Sequence, residues 1–166
     1  MAVDIFLKLS NNIRGESQDE THRDEIDVLA WNWGLTQSGT THIGSGGGGG
    51  KVNVQDITLT KYVDLATSDL IKRSTSGEHI ESGELIVRKS GGAAPIEYFR
   101  IKLENLMITS YNTGGAKDGL DRIQETVTLN FRKFEVLYTL QEESGAAGAE
   151  STAGWDIAEN KEWGVA

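Results

Sequence analysis

The sequence predicts a mainly β protein, either an antiparallel β-barrel or two packed sheets, with one short α-helix at about residues 64–76. Three observations carry that prediction. Apolar residues recur with period two along most of the 166-residue chain, helical periodicity is confined to one short segment, and glycine-rich turns separate the long runs.

Strands are expected at 3–9, 25–36, 52–63, 83–89, 96–110 and 124–140, with a short one at 154–158. The second is unusual because EIDVLAWNWG is apolar on both faces: Ile26, Val28 and Ala30 point one way, Leu29, Trp31, Trp33 and Leu35 the other. Such a strand is central to two packed layers or is covered by another subunit. For the helix, Asp64, Thr67 and Ser68 are the candidate N-caps and Gly77 closes the end. Pro95 stands at the start of a strand, where its missing N–H costs little, and 90–94 and 113–119 read as hairpin turns. The chain then divides into a β-barrel domain at 1–140, an Ala/Gly/Glu-rich flexible linker at 141–153, and a tail at 154–166 where Trp155 and Ile157 can add a terminal strand. These parts make a single domain.

Two strands change phase. In one, Val127, Leu129 and Phe131 give way to Phe134, Val136, Tyr138 and Leu140; in the other, Phe99, Ile101 and Leu103 give way to Leu106 and Ile108. A bulge or sharp bend near Lys133 and another near Asn105 keeps each strand on one core; otherwise each strand runs past its own core onto a neighbour's. Opposite the apolar sets lie polar combs, Arg100, Lys102 and Glu104 in one strand and Thr126, Thr128, Asn130 and Arg132 in the other. Two readings of the combs stay open: a solvated sheet face, or the lining of a water-filled lumen.

A net charge of −9 gives no footprint for nucleic acid or anionic membranes, and the absence of cysteine excludes disulfides and thiolate metal sites. No apolar run approaches the ~20 residues of a membrane helix, and residues 1–8 lack the pattern of a cleaved secretory signal. The glycines at 44–49 satisfy GxGxxG but lead into a strand, where a dinucleotide fold requires a helix N-terminus; the Walker pattern fails at Ser45 and Val52. His22, His42 and His79 are scattered without metal-ligand spacing. Asp19, Glu20, Asp24, Glu25 and Asp27 lack the glycine turn of a calcium loop and read as a solvated loop and strand edge. No nucleophile has a recognisable partner, so no enzyme and no cofactor are expected.

MAVDIFLKL at the start, Gly15-Glu16-Ser17, Thr21-His22, 25–34, 51–56, Thr60-Lys61-Tyr62, Ser76-Gly77, Arg88-Lys89, Glu97-Tyr98, Thr113-Gly114-Gly115, 125–131 and Gly154-Trp155 follow one another in a familiar order. In these strings the sequence resembles the haemolysin-coregulated protein (Hcp) family, the tube subunit of bacterial type VI secretion, and departs from it mainly at 141–153 and after Ile157. The resemblance implies a β-barrel with one helix that forms homohexameric rings. Stacked rings make a tube, sheathed and spike-tipped, which carries or chaperones effectors and is ejected on contraction. It implies assembly in the bacterial cytoplasm, then export without a cleaved signal peptide, with neither nucleic acid nor membrane insertion involved. Some members carry a fused toxin; the stretch after 140 is too short to fold as one.

The glycine-rich segment 37–50 matches the family's projecting loop. Thr40, Thr41, His42, Ile43, Gly44, Gly50 and Lys51 are therefore the expected ring-to-ring contacts, and Trp31 and Trp33 are placed near a core or subunit boundary. Arg100, Lys102 and Arg132 from the combs, with Tyr111, Asn112 and Thr113 from the following turn, are the expected effector contacts. Two other readings are a phage-like tail tube subunit and a monomeric carbohydrate-binding β-sandwich. The latter uses Trp31, Trp33, Trp155 or Trp163 as sugar platforms.

Overall fold

The structure is a computed structural model and describes residues 2–39, 42, 44, 49–89, 95–119 and 121–164. In chain order its elements are β1 (Val3–Leu9), β2 (Ile26–Asp27), β3 (Ala30–Asn32), β4 (Leu35–Thr36), β5 (Asn53–Val54), β6 (Ile57–Tyr62), α1 (Thr67–Ser76), β7 (Ile80–Lys89), β8 (Glu97–Gly114), β9 (Gln124–Gln141), β10 (Ala147–Asp156) and β11 (Lys161–Glu162).

The mainly β expectation holds, and every pairing is antiparallel. β1, β7, β8 and β9 form a continuous sheet; the turn expected at 90–94 lies outside the described residues, and of the one expected at 113–119, Thr113 and Gly114 belong to the end of β8. The far edge of β9 is shared: its first part pairs with β6, its second with β10, and β11 adds to the end of β10. One segment then bridges the sheet's two edges. β2 pairs with β1 and β3 with β6, while between them the Val28 N–H donates to Ile5 O (3.0 Å) and the Leu29 N–H to Thr60 O (2.8 Å). The sheet wraps round a core through this change of partner and is not closed by a continuous ladder. Leu7, Ile26, Leu59, Leu70, Ile80, Leu85, Ile101, Leu103 and Leu129 sit fully buried in a single cluster.

The expected strand at 25–36 is therefore broken. Ile26 and Val28 are buried, but Ala30, expected on their face, is exposed because the segment changes partner at Val28 and Leu29. The expected strand at 52–63 also divides, at Gln55 and Asp56. There β5 leaves the main sheet and pairs with β4 in a separate ribbon.

The phase reversals fall where expected, at Asn105 and next to Lys133, and need no inserted residue. Two rows cross β7, β8 and β9 as direct partners, Ile80–Leu106–Phe131 and Gly83–Leu103–Phe134, and both face the core. They stand three residues apart along each strand, so in a regular sheet they would face opposite sides. All three strands thus reverse on one transverse line. No residue is inserted between these rows, contrary to the bulge alternative at Lys133 and Asn105. Instead Asn105 takes a left-handed conformation (φ 55°), while the register shift of β8 against β9 lies between Ile108 and Ser110. Asparagine tolerates that conformation better than any branched residue.

The stretch 141–153, expected as a flexible linker, carries a turn and most of β10. Glu142 N–H donates to Ala146 O (2.9 Å), Gly145 N–H donates to Glu142 O (2.8 Å) at φ 87°, and the chain returns alongside β9. Backbone ladders hold small and polar residues here without needing a side-chain core. The terminal strand expected at 154–158 is the end of this longer β10.

α1 begins at Thr67 rather than near residue 64, since Asp64 works as the turn before it: its Oδ1 accepts from Ala66 N–H (2.9 Å) while Thr67 Oγ1 accepts from Asp64 N–H (3.0 Å). Gly77 (φ 72°) closes the helix as expected. Leu70 enters the core, and a buried charge network fastens the helix start. Lys61, fully buried, spends its three donors on Tyr62 O (2.9 Å), Asp64 Oδ1 (2.9 Å) and Glu125 Oε1. Glu125 also accepts from Thr67 Oγ1 (2.8 Å) and the Tyr111 hydroxyl (2.5 Å).

Two stability predictions follow from these features. Lys61→Met strands a buried carboxylate and is expected to cost about 3–5 kcal/mol in urea unfolding. Asn105→Val is expected to cost about 1–2 kcal/mol against Asn105→Gly, because only the valine is strained at positive φ; equal stabilities would remove Asn105 as the source of the reversal.

Candidate interaction surfaces

On the outer face of the main sheet, residues directly opposite one another alternate in charge. Lys8 faces Glu84, Glu84 faces Lys102, and Lys102 faces Glu135 across four strands, with Glu104 facing Lys133 one row away. Arg100 adds ion pairs to Glu84 (3.3 Å) and Glu97 (4.0 Å). Cross-strand pairs of opposite sign stabilise such a face. The expected comb residues spread along it without meeting at one point. Lys102 lines a cleft of about 290 Å³ with Glu84, Glu104 and Trp163; Arg100 lines another with Thr21, Arg88 and Glu150; Arg132 lines a third with Lys51, His79 and Asn130. Arg132 is also paired with Asp156 (3.6 Å) and Glu159 (3.4 Å).

Of the turn candidates, Asn112 and Thr113 are exposed, and Thr113 Oγ1 donates to Gln124 O (2.9 Å). Tyr111 is different: its ring packs on the core, and burial together with the Glu125 carboxylate pushes its hydroxyl pKa up to about 12. That hydroxyl is committed to Glu125 and not to an outside partner.

The β4 and β5 strands flank the glycine-rich segment in sequence and pair with each other. His42, Gly44 (φ 69°), Gly50 and Lys51 are exposed; Thr40, Thr41 and Ile43 lie outside the described residues. Gly50 lies so close to Ser38 that an added Cβ would fall 2.6 Å from its Oγ. The two flanking tryptophans sit at the core margin. Trp31 stacks on Phe99 at 5.6 Å, while Trp33 meets Phe134 edge-on at 5.0 Å and donates from Nε1 to Gln55 O (2.9 Å). Trp155 and Trp163 are also partly buried.

Besides Val3, Leu29, Leu35 and Ile71, exposed apolar side chains lie in two unlike sets, one at each end of β9. At its start Val63, Leu65 and Ile123 are exposed, with the Val63 N–H donating to Ile123 O (2.8 Å); Leu65 is 69% exposed. Towards its end the core face runs on past Val136, leaving Tyr138 and Leu140 exposed at 43% and 47%.

Further polar groups form clusters that the sequence reading left apart. Arg88 binds Asp19 through both guanidinium ends (3.0 and 2.5 Å), Asp4 (3.0 Å) and Thr21 Oγ1 (3.2 Å), and lies 5.0 Å from the Phe6 ring centroid. His22 is buried between Glu25 and Glu97. The acidic loop is thus not simply solvated, as expected for Asp19 and Glu25. Signals for burial existed elsewhere: Lys61 is in phase with Ile57 and Leu59, and Glu125 with Val127 and Leu129. The Arg88 guanidinium holds the Asp19 carboxyl well below the usual carboxylate range. Among the described residues there is no cluster of three or more potential metal ligands, and no helix is long and apolar enough to cross a membrane.

A wrapped β-sheet with a charge-paired outer face, a separate two-stranded ribbon and open apolar surface at both ends of one strand defines a protein of association surfaces. Comparison with known proteins gives the family. The sequence profile of the type VI secretion system effector Hcp matches residues 6–138. Protein hcp1 of Pseudomonas aeruginosa is 48% identical over 161 residues, spanning 96% of this chain and 98% of that protein. The crystal structure of Hcp1 from Salmonella typhimurium superposes with a TM-score of 0.81 at 39% identity, over 98% of this chain and 100% of that one. A further type six secretion system protein gives 0.90 at 29% identity over the same shares. The chain belongs to the Hcp family of type VI secretion proteins.

The Asp19–Arg88 pair has a definite pH signature. A carboxyl whose pKa is lowered on folding stabilises the fold above its unfolded value, about 4, and loses that contribution as pH falls towards the folded one. Asp19→Asn is therefore expected to be less stable than the parent near neutral pH, with the gap closing on strong acidification. A gap independent of pH in chemical denaturation would show that charge at Asp19 is immaterial.

Proposed function

We propose that this protein is the structural subunit of a type VI secretion inner tube. Subunits assemble into homohexameric rings, the rings stack within a sheath behind a spike, and the lumen carries effectors. The subunit itself is assembled in the bacterial cytoplasm and exported on contraction, and it performs no catalysis. The observation that carries this reading is the pair of unlike apolar surfaces at the two ends of β9, Val63–Leu65–Ile123 and Tyr138–Leu140. A closed ring requires heterologous contacts, in which one face of a subunit meets a different face of the next.

In this reading the loop on the β4–β5 ribbon makes the ring-to-ring contacts, with Thr40, Thr41, His42, Ile43, Gly44, Gly50 and Lys51 as its candidates. Ordering a glycine-rich loop costs entropy that only stacking offsets, so isolated rings stack weakly. Trp31 and Trp33 hold the base of that loop to the core. Arg100, Lys102 and Arg132, with Asn112 and Thr113, face the cargo. Family membership and the seating of all four tryptophans against neighbouring residues favour the tube over a sugar-binding monomer, which needs a bare ring as its platform.

Native mass spectrometry at low micromolar concentration tests assembly. Six-subunit species are expected, and Leu65→Asp and Tyr138→Asp are each expected to convert them to smaller species while leaving the circular dichroism spectrum intact. A monomer at every concentration would refute the ring. For the cargo face, joint replacement Arg100→Glu, Lys102→Glu and Arg132→Glu is expected to lower effector co-purification several-fold while rings persist. Undiminished retention would exclude those residues as contacts.

A further inference from the structure

We propose that His22, Glu25 and Glu97 form a proton-dependent clamp that fastens the 10–25 segment and the entry to β2 onto the start of β8, and that it lets go as pH rises. The proposal is independent of ring assembly. His22 Nδ1 lies 2.7 Å from Glu25 Oε2 and Nε2 lies 2.6 Å from Glu97 Oε1, both hydrogen-bonding distances. Each contact needs a proton between nitrogen and oxygen. The three groups must therefore hold two protons, either both on the ring or one on the ring and one on a carboxyl. Remove one, and a bare ring nitrogen faces a carboxylate at under 3 Å, lone pair against lone pair.

The clamp is shielded enough for that change to matter. The His22 side chain is 7% exposed and Glu25 13%, while Glu97 is open at 32% and can swing out. The Phe6 ring stacks on the imidazole at 4.4 Å and stops it from turning away. Charges face the trio from each element around it: Asp4 and Lys8 on β1, Asp19 in the same loop, Glu84 and Arg88 on β7, Arg100 on β8 and Glu150 on β10. Arg88 is neutralised by Asp4 and Asp19, and Arg100 is shared between Glu84 and Glu97. Burial pushes the Glu25 carboxyl up, which favours the proton-rich state of the trio.

The clamp's position gives it leverage. Within the segment, Gly15 N–H donates to Asp24 O, Ser17 N–H to Glu25 O and Asp24 N–H to Ser17 O, so much of the backbone is bonded to itself. Glu97 anchors it across 75 residues of sequence. Glu25 directly precedes Ile26, where the segment bridging the two sheet edges begins. Losing the second proton therefore loosens both the loop and the bridge.

Hydrogen exchange of residues 15–25, read by mass spectrometry and corrected for the intrinsic pH dependence of exchange, tests the clamp. In the parent protein, protection is expected to fall about tenfold from mildly acidic to mildly alkaline pH. In Glu97→Gln the amide can donate to the bare Nε2 while Nδ1–H donates to Glu25, so both contacts survive with a neutral ring and protection stays flat. Glu25→Gln preserves the clamp by the mirror arrangement and should behave alike. A pH-independent parent, or amide variants whose protection falls with pH as the parent's does, would overturn the proposal.

Discussion

The whole architecture depends on a single geometric constraint: three neighbouring strands reverse their buried faces on the same transverse line. Because side chains alternate, a sheet continued regularly past Leu106 and Phe131 would turn Gly83, Leu103 and Phe134 towards water. The left-handed Asn105 in the middle strand lets the sheet bend there while strand partners stay aligned. On the same line β9 exchanges one neighbour for another, since its pairing with β6 ends at Leu129 and that with β10 begins at Lys133. The bend therefore lies within the core, with Ile80, Leu106 and Phe131 on one side of it and Leu85, Ile101, Leu103 and Phe134 on the other all packed in the same cluster. Tyr138 and Leu140 are exposed further along β9, where they continue the alternation of Phe134 and Val136.

Charge fixes what the apolar core leaves free. A core of Leu and Ile places strands but is tolerant of how a helix or loop is set against them. Lys61 with Glu125 and Asp64 sets the start of α1; Arg88 with Asp4 and Asp19, and His22 with Glu25 and Glu97, set the long loop between β1 and β2. Burying such groups brings a large desolvation cost, and replacing them with apolar side chains can be neutral for stability. Their contribution here is directional: each joins residues far apart in sequence at bonding distances that only one arrangement satisfies.

Much of this was legible in the sequence, and the failures have a common cause. The strand at 3–9 and the closure of α1 at Gly77 match the structure because local periodicity and a local αL preference specify them. The phase reversals were legible as events, but counting faces cannot distinguish an inserted residue from a left-handed one. The break in 25–36 was hidden, since the apolar run continues while its hydrogen-bonding partner changes at Val28 and Leu29. The stretch 141–153 was misread because a projecting hairpin is held by backbone groups, which have no side-chain signature. Lys61 and Glu125 could have been found, as charges in phase with core residues. The surface candidates stood beyond pattern alone: Arg100, Lys102 and Arg132 share a face but line separate clefts, and Tyr111 turned out to be committed internally.

The distribution of charge also constrains how a tube of the proposed kind would recognise cargo. The chain carries −9 overall, so subunits brought together repel one another at long range, though this repulsion is screened beyond about 8 Å at physiological ionic strength. The outer sheet face contributes little to that excess, since Lys8, Arg100, Lys102 and Lys133 are set against Glu84, Glu104 and Glu135. A ring lined by this face would present repeated rows of alternating sign and only a weak net field. Attraction by bulk charge is then a poor basis for selecting cargo, because opposite contributions cancel within a few ångströms of the surface. Recognition has to come from short-range matching to the pattern, repeated around the ring, where several weak contacts with one cargo molecule reinforce one another through high effective concentration. In the proposed tube each subunit would then bind weakly while the assembly retained its cargo.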